Sequence, residues 1–395
     1  MTNYSTYQDD QPMEQQANWS GVFAMTLCIF ALIACEFMPV SLLTPMAEDL
    51  SISKGMVGQG IAISGFFAVI ASLFMSPLFA KSDRKTLLVA LTLLMLLSTL
   101  TIFIADSYAV YMLGRALIGL VIGGYWSLST ASAMRLVPED KVPKALAVFN
   151  GGNGLAMIIA APLGSYLGSV LGWRGAFMCL VPFIAIAVFW QWQALPSMPA
   201  QQQSKGPFSA FKLFKKPLVR FGMLAVALLF MGQFTLFTYV RPFLESAFQA
   251  TSQQVSLVLF VIGFAGFIGT LLISKVIKLS LAFALIAAPT VMALIAFCLA
   301  NQISLFNINI VLLGLWGFIA TAAPVAWWSW VARSLPKDAE VAGGLMVAII
   351  QFSIALGSTF GGILFDVYDY PITFFVSAAI LFFAAIASYF TIKTP

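Results

Sequence analysis

The constraint that dominates this 395-residue chain is the recurrence of apolar stretches long enough to cross a bilayer. About twenty residues of helix, rising 1.5 Å each, cover the roughly 30 Å hydrocarbon core. Such stretches fall at 20–43, 55–79, 86–105, 108–134, 144–171, 175–193, 219–240, 254–274, 279–299, 307–331, 342–364 and 372–391. They are too long and too evenly apolar for the alternating strands of a barrel, so twelve transmembrane helices are expected. Composition agrees: 61% of residues are hydrophobic and 9% charged, whereas a soluble domain has about 25% charged. A soluble enzyme, a disordered chain and a disulfide scaffold are excluded. Histidine is absent, which removes histidine metal sites and histidine bases. Cys28, Cys35, Cys179 and Cys298 lie in apolar runs without CxxC spacing and read as small packing residues. No metal or cofactor is expected.

Basic residues set the expected topology. With both termini in the cytoplasm, sixteen of the twenty lysines and arginines face inward. Lys54, Arg174 and Arg241 stay outside, and Arg115 falls within a span. This bias obeys the positive-inside rule and would be scrambled by an odd helix count. The first nineteen residues carry no lysine or arginine, and the first span exceeds a signal-peptide core, so it is expected to remain as a membrane helix. The expected division is a tail at 1–19, six helices in 20–194, a linker at 195–218 and six helices in 219–395. Within the linker, Phe208, Phe211 and Phe214 alternate with lysines. That spacing suits a short helix on the membrane surface, although a basic connection that only satisfies topology reads equally well.

The halves repeat at an offset of 198 residues. Arg135, Pro138 and Asp140 correspond to Arg333, Pro336 and Asp338; Asn153 to Gln351, Gly164 to Gly362, Phe177 to Phe375. Glu36-Phe-Met-Pro39 is echoed by Tyr239-Val-Arg-Pro242 at a different offset. Six spans per half, starting on the same side, make a parallel repeat about an axis along the membrane normal. A secondary transporter with a cavity between two six-helix bundles has that architecture.

Several segments carry a resemblance: EFMPVSLLTPMAEDL (36–50), SDRK (82–85), GRALIGLVIGGYW (114–126), MRLVPEDKVPKAL (134–146) and APLGSYLGSVLGWRGAF (161–177). Along nearly its whole length the chain resembles the major facilitator superfamily, in the drug/proton antiporter group with twelve helices. Within that group it most resembles the bacterial purine ribonucleoside exporters, then the sugar and arabinose exporters. The resemblance implies proton-coupled efflux of purine ribonucleosides such as inosine and guanosine across the inner membrane, with sugar or multidrug export as the alternative. After the second span the chain departs from the family pattern. Ala80 stands at the usual aspartate and Asp83 at the usual glycine, so a cytoplasmic latch is expected to use Asp83, Arg84 and Lys85.

Fourteen of the fifteen acidic residues fall in loops, tails or span ends; Glu36 alone lies well inside a helix. A charge there costs at least about 2.5 kcal/mol, which makes it a functional candidate as a proton carrier. The structural alternative is a permanent ion pair. Arg115 is the expected partner, because both residues lie about 10–12 Å below the outer boundary by helix rise. Its guanidinium stays charged and would be a fixed counter-charge. In the family this fourth-helix arginine is implicated in proton coupling. Gly119 and Gly123 follow it at four-residue spacing, which also suits close helix packing. Gly154, Pro162 and Gly164 mark the fifth helix as a conformational seam between the halves. Substrate contacts are expected among Phe37, Tyr125, Trp126, Asn150, Asn153, Gln233, Phe237, Thr238, Tyr239, Trp327 and Gln351. Buried amides can hydrogen-bond a base or sugar, and aromatic faces can stack on a purine. A neutral, polar, flat small molecule fits best, with protons and the lipid bilayer as the other partners, no nucleic acid, and a monomer as the default. A membrane enzyme or an ATP-driven pump finds no nucleotide-binding glycine loop here.

Overall fold

The computed structural model describes residues 17–79, 81–199, 209–301, 305–335 and 338–394, and these contain no strand. The helices are α1 (Trp19–Asp49), α2 (Lys54–Leu78), α3 (Arg84–Phe103), α4 (Tyr108–Met134), α5 (Val142–Met178) and α6 (Val181–Ala194). They continue as α7 (Pro217–Phe237), α8 (Val240–Phe248), α9 (Ser252–Leu279), α10 (Leu281–Ala300), α11 (Phe306–Ser334) and α12 (Ala339–Lys393). Crossings and helices differ at three places. Gly172 breaks α5 with φ +72°, and Asp369 breaks α12 with φ +61°. These breaks fall at nearly the repeat offset, and each turns the chain back across the membrane. Meanwhile α7 and α8 form one crossing, bent at Thr238 and Tyr239. Twelve crossings result among the described residues.

Polar side chains fix where several helices begin. Asn18 accepts from the Gly21 amide, Asp83 from Thr86, and Ser280 from Phe283. Thr251 and Gln254 form a reciprocal capping box at α9. Asn18 also donates to the Ala194 carbonyl at 2.6 Å, tying the start of α1 to the end of α6. The helix α1 is apolar on every face and correspondingly buried on nearly all of them.

Helices α1–α6 pack with one another, as do α7–α12, and the bundles meet chiefly where α2 lies against α12 and α5 against α9, with smaller contacts of α1 against α8 and α9. Among the described residues, every hydrogen bond between the bundles lies at the mid-depth of the helices or toward the face opposite the termini. Asp366 accepts from Ser53 Oγ (2.5 Å) and the Gly55 amide (2.8 Å), and Ser165 Oγ donates to the Ser252 carbonyl (3.3 Å). Gly65 sits against the Gln351 carbonyl, and Gly263 against Met157 and Ile158. Toward the termini, a Cβ added at Gly151, Gly154 or Gly344 would meet open space. The cleft is sealed on one face and splayed on the other.

The glycine expectations divide: Gly119 and Gly123 make the close helix packing that their spacing suits, whereas the fifth-helix seam needs correction. Gly119 and Gly123 face the backbone of Ser64 and Ala68 on α2, and Gly164 faces Met38 and Ser41 on α1. All three serve packing inside the first bundle. A Cβ added at Gly154 would meet no neighbour, and Pro162 lies within α5. Close approach between the bundles is made instead by Gly55, Gly65, Gly263 and Gly362.

The expected surface helix also differs. Ser209–Lys215 form a short 3-10 helix packed on α7 and α12. Leu213 is buried beneath it, while Lys212, Lys215 and Lys216 are exposed. Lys216 pairs with Asp338 at 2.8 Å. Residues 1–16, Ala80, the linker at 200–208 with Phe208, Pro336 and Lys337 lie outside the described residues.

Candidate functional site

Pro39 determines the chemistry around Glu36. A proline inside a helix has no amide hydrogen, so the carbonyl four residues earlier, Cys35, loses its helical donor. Inside a membrane such an acceptor needs another partner. Arg115 supplies it: Nη1 donates to Cys35 O at 3.0 Å, Nη2 to Glu36 O at 3.3 Å and Ser64 Oγ at 2.9 Å, and Nε to Gly60 O at 2.9 Å. Three helices, α1, α2 and α4, are joined through one guanidinium that has no exposed surface. Ser64, which the sequence reading did not single out, completes this set.

Glu36 and Arg115 thus lie at the same depth, as expected, but their charged ends do not pair. Their contact runs through the Glu36 backbone carbonyl. The carboxylate points the other way, into the contact between bundles, where Gln351 Nε2 of α12 lies 3.5 Å from Glu36 Oε1. Glu36 is 5% exposed and Gln351 7%, and the side-chain amide oxygen of Gln351 has no partner. The expected side-chain ion pair is replaced by a carboxylate–amide contact between the halves, because the guanidinium donors are committed to carbonyls and Ser64.

The other expected contact residues divide. Phe37 stacks on Phe234 across the bundle interface, with centroids 6.0 Å apart, and Phe237 meets Phe234 edge-on. Gln233 is buried with an unpartnered carbonyl oxygen. Asn153 and Trp126 are half-buried, and Asn150 is exposed, its amide bonded to Leu146 O. Four others do not line an open cavity. Tyr125 is enclosed within the first bundle. Thr238 and Tyr239 both bond Ser358, and Tyr239 stacks on Phe365. Trp327 packs edge-on against Trp330.

The latch is a hydrogen-bonded anchor rather than an ion pair. Asp83 Oδ2 accepts from Ser197 Oγ and the Met198 amide, both at 2.6 Å, and Arg84 N donates to Met198 O. It fastens the α2–α3 loop to the chain leaving α6. Partial burial pushes the Asp83 carboxyl up, but hydrogen bonds from Ser197, Thr86, Met198 and Lys85 outweigh it and hold it below the usual range. Arg84 Nη1 is buried without a partner, and Lys85 is half-buried.

Arg241 requires the largest correction. Expected in an outer loop, it is 5% exposed on α8. There it donates to Ser41 O and Ser165 Oγ of the first bundle, and to Glu245 and Ser252 of its own.

Two six-helix bundles of parallel repeat, a cleft closed at one end, and a buried carboxylate at their junction define a secondary membrane transporter. Residues 25–343 match the Major Facilitator Superfamily, and the chain belongs to that family. It is 57% identical over 384 residues to "Transcription regulatory protein OpdE" of Pseudomonas aeruginosa, covering 96% of each chain. It is 40% identical over 353 residues to "Purine ribonucleoside efflux pump NepI" of Shigella sonnei, covering 88% of each. In fold it resembles a bacterial homologue of the human lysosomal transporter Spinster, inward-facing and unoccupied. That likeness has TM-score 0.78 and 15% identity, and covers 95% of this chain and 97% of that one. A variant of the nucleoside transporter NupG gives TM-score 0.77 and 14% identity, covering 94% and 99%. The protein is a multi-pass membrane transporter and not an enzyme.

Proposed function

We propose that this transporter exports purine ribonucleosides such as inosine and guanosine across the inner membrane in exchange for protons. The face bearing the termini and most lysines is cytoplasmic in this reading, so the splayed cleft is the inward-open conformation. The carrying observation is Glu36: among the described residues it is the one buried carboxylate, and it lies where the bundles meet. Its alternation between charged and neutral forms changes the strength of its contact with Gln351 and so biases the packing of the halves. The 40% identity to proteins named as purine ribonucleoside efflux pumps supports the substrate class. Unpartnered amide oxygens on Gln233 and Gln351 suit a solute that offers hydrogen-bond donors.

Reconstituted protein carrying Glu36→Gln is expected to lose nucleoside efflux driven by a pH gradient. Undiminished gradient-driven transport would refute the assignment of the proton carrier. Thermal stabilisation by nucleosides but not by sugars or hydrophobic cations separates this reading from sugar or multidrug export. The 57% identical relative is named a transcription regulatory protein, a name that specifies no substrate.

A further inference from the structure

Pro45 repeats on the far side of α1 what Pro39 does at its centre. It removes the helical donor for Ser41 O. Here the replacement donor comes from the other bundle: Arg241 Nη1 on α8. We propose that Arg241 is a positioning residue for the transport cycle, a bolt that holds the face opposite the termini shut by occupying the carbonyl that Pro45 leaves open. This goes beyond the proposed function and depends neither on the substrate nor on the coupling ion.

Three observations converge on it. The guanidinium is nearly fully buried, and its donors are divided between bundles: Ser41 O and Ser165 Oγ (3.4 Å) on one side, Glu245 Oε1 (2.8 Å) and Ser252 Oγ (3.5 Å) on the other. Glu245 is one turn further along the same helix, so the charge keeps its counter-ion when the bundles part. The bolt is therefore breakable without stranding a buried charge.

A hollow of about 490 Å³ lies directly against it, lined by Thr44, Pro45, Glu48, Lys54 and Glu245 as well as Arg241 itself. Water in this hollow can take over Ser41 O when the arginine leaves, which an apolar seam would not allow. The device is also one-sided. In the echo of Glu36-Phe-Met-Pro39 by Tyr239-Val-Arg-Pro242, Arg241 corresponds to Met38, which has no donor to offer.

The test measures access to the hollow in the full-length reconstituted chain. Thr44→Cys serves as reporter, Cys179 and Cys298 are replaced by serine, and a membrane-impermeant maleimide is added on the far face. Arg241→Met, which removes both hydrogen bonds to the first bundle, is expected to raise the labelling rate by about 10-fold or more. Arg241→Lys should restore part of the difference. Pro45→Ala returns an amide to Ser41 O within α1, so the arginine has less to hold and labelling should again rise. A merely structural role predicts the opposite for that change, since the helix becomes more regular. Should Arg241→Met fail to fold, the pair Ser165→Ala and Ser252→Ala decides, because it weakens the bolt while leaving the Glu245 pair intact. Labelling that stays at the parent rate in the folded Arg241 and Pro45 variants, or in that pair, overturns the proposal.

Discussion

Gln351 Nε2 of the second bundle lies 3.5 Å from Glu36 Oε1 of the first, where α12 passes α1 at the middle of the protein. An amide donor interacts more strongly with an ionised acceptor than with a neutral one, and a low-polarity surrounding enlarges the difference. Gln351→Leu keeps most of the volume and removes the donor. Nucleoside exchange at equal pH on both sides should stay within about twofold of the parent, while gradient-driven accumulation should fall about tenfold, near 1.4 kcal/mol of lost coupling. Equal losses in the two assays would make Gln351 a packing residue only.

Arg115 predicts a stability effect of a different kind. Its removal strands Cys35 O, which Pro39 has already deprived of a helical donor, and takes away partners of Gly60 O and Ser64 Oγ. Arg115→Ala should therefore destabilise the detergent-solubilised protein by about 3–5 kcal/mol, seen as a large fall in melting temperature. Arg115→Lys should recover only a small part, because one ammonium cannot span α1 and α2. Ser64→Ala alone should cost about 1 kcal/mol.

Gly123, packed against a neighbouring helix, and Gly154, facing open space, make a direct comparison. A Cβ at Gly123 would meet the Ala68 backbone of α2, whereas one at Gly154 meets nothing. Gly123→Ala is expected to destabilise by about 1–3 kcal/mol, since backbone cannot move aside as a side chain can. Gly154→Ala should be neutral or stabilise by up to about 1 kcal/mol through helix propensity. Thermal melts of the two variants check both signs.

Asp83 gives the protein a titratable element outside the membrane. Its carboxyl is held below the unfolded value by the hydrogen bonds it accepts. The sign follows: its stabilisation is present at pH above the unfolded value and is lost as pH falls through the lower folded one. Asp83→Ala removes the N-cap of α3 and the anchor to Ser197 and Met198, at a cost of about 1 kcal/mol or somewhat more near neutrality. The gap between parent and variant melting temperatures should narrow on acidification.

How much of this was legible in advance depended on the kind of interaction. The crossings were readable because apolar length is a local property, and even the break at Gly172 fell in the expected gap between 171 and 175. The depth of Glu36 and Arg115 followed from counting helix rise. Their mutual orientation did not, because it turns on which acceptors compete for the guanidinium. The signal was available, since Pro39 follows Cys35 by four residues and so frees a carbonyl, but identifying the donor required three dimensions. The partnership of Gln351 was foreshadowed only by its repeat relation to Asn153. Arg241 was misplaced because Arg241 and Glu245 make the short segment after Tyr239 resemble a polar loop. Only the bend between α7 and α8 turns that segment into the interior. Gly119, Gly123 and Gly164 carry the spacing of a close-packed surface, yet spacing says nothing about which neighbour it serves.

The two prolines of α1 give that helix two backbone oxygens with different tenants. The one at Cys35 is held from within its own bundle and keeps its occupant however the halves move. The one at Ser41 is held from the neighbouring bundle and must change occupant each time the far face parts. Opening there is consequently a wetting event: solvent has to arrive at a single atom, in step with the departing guanidinium, for the stroke to complete.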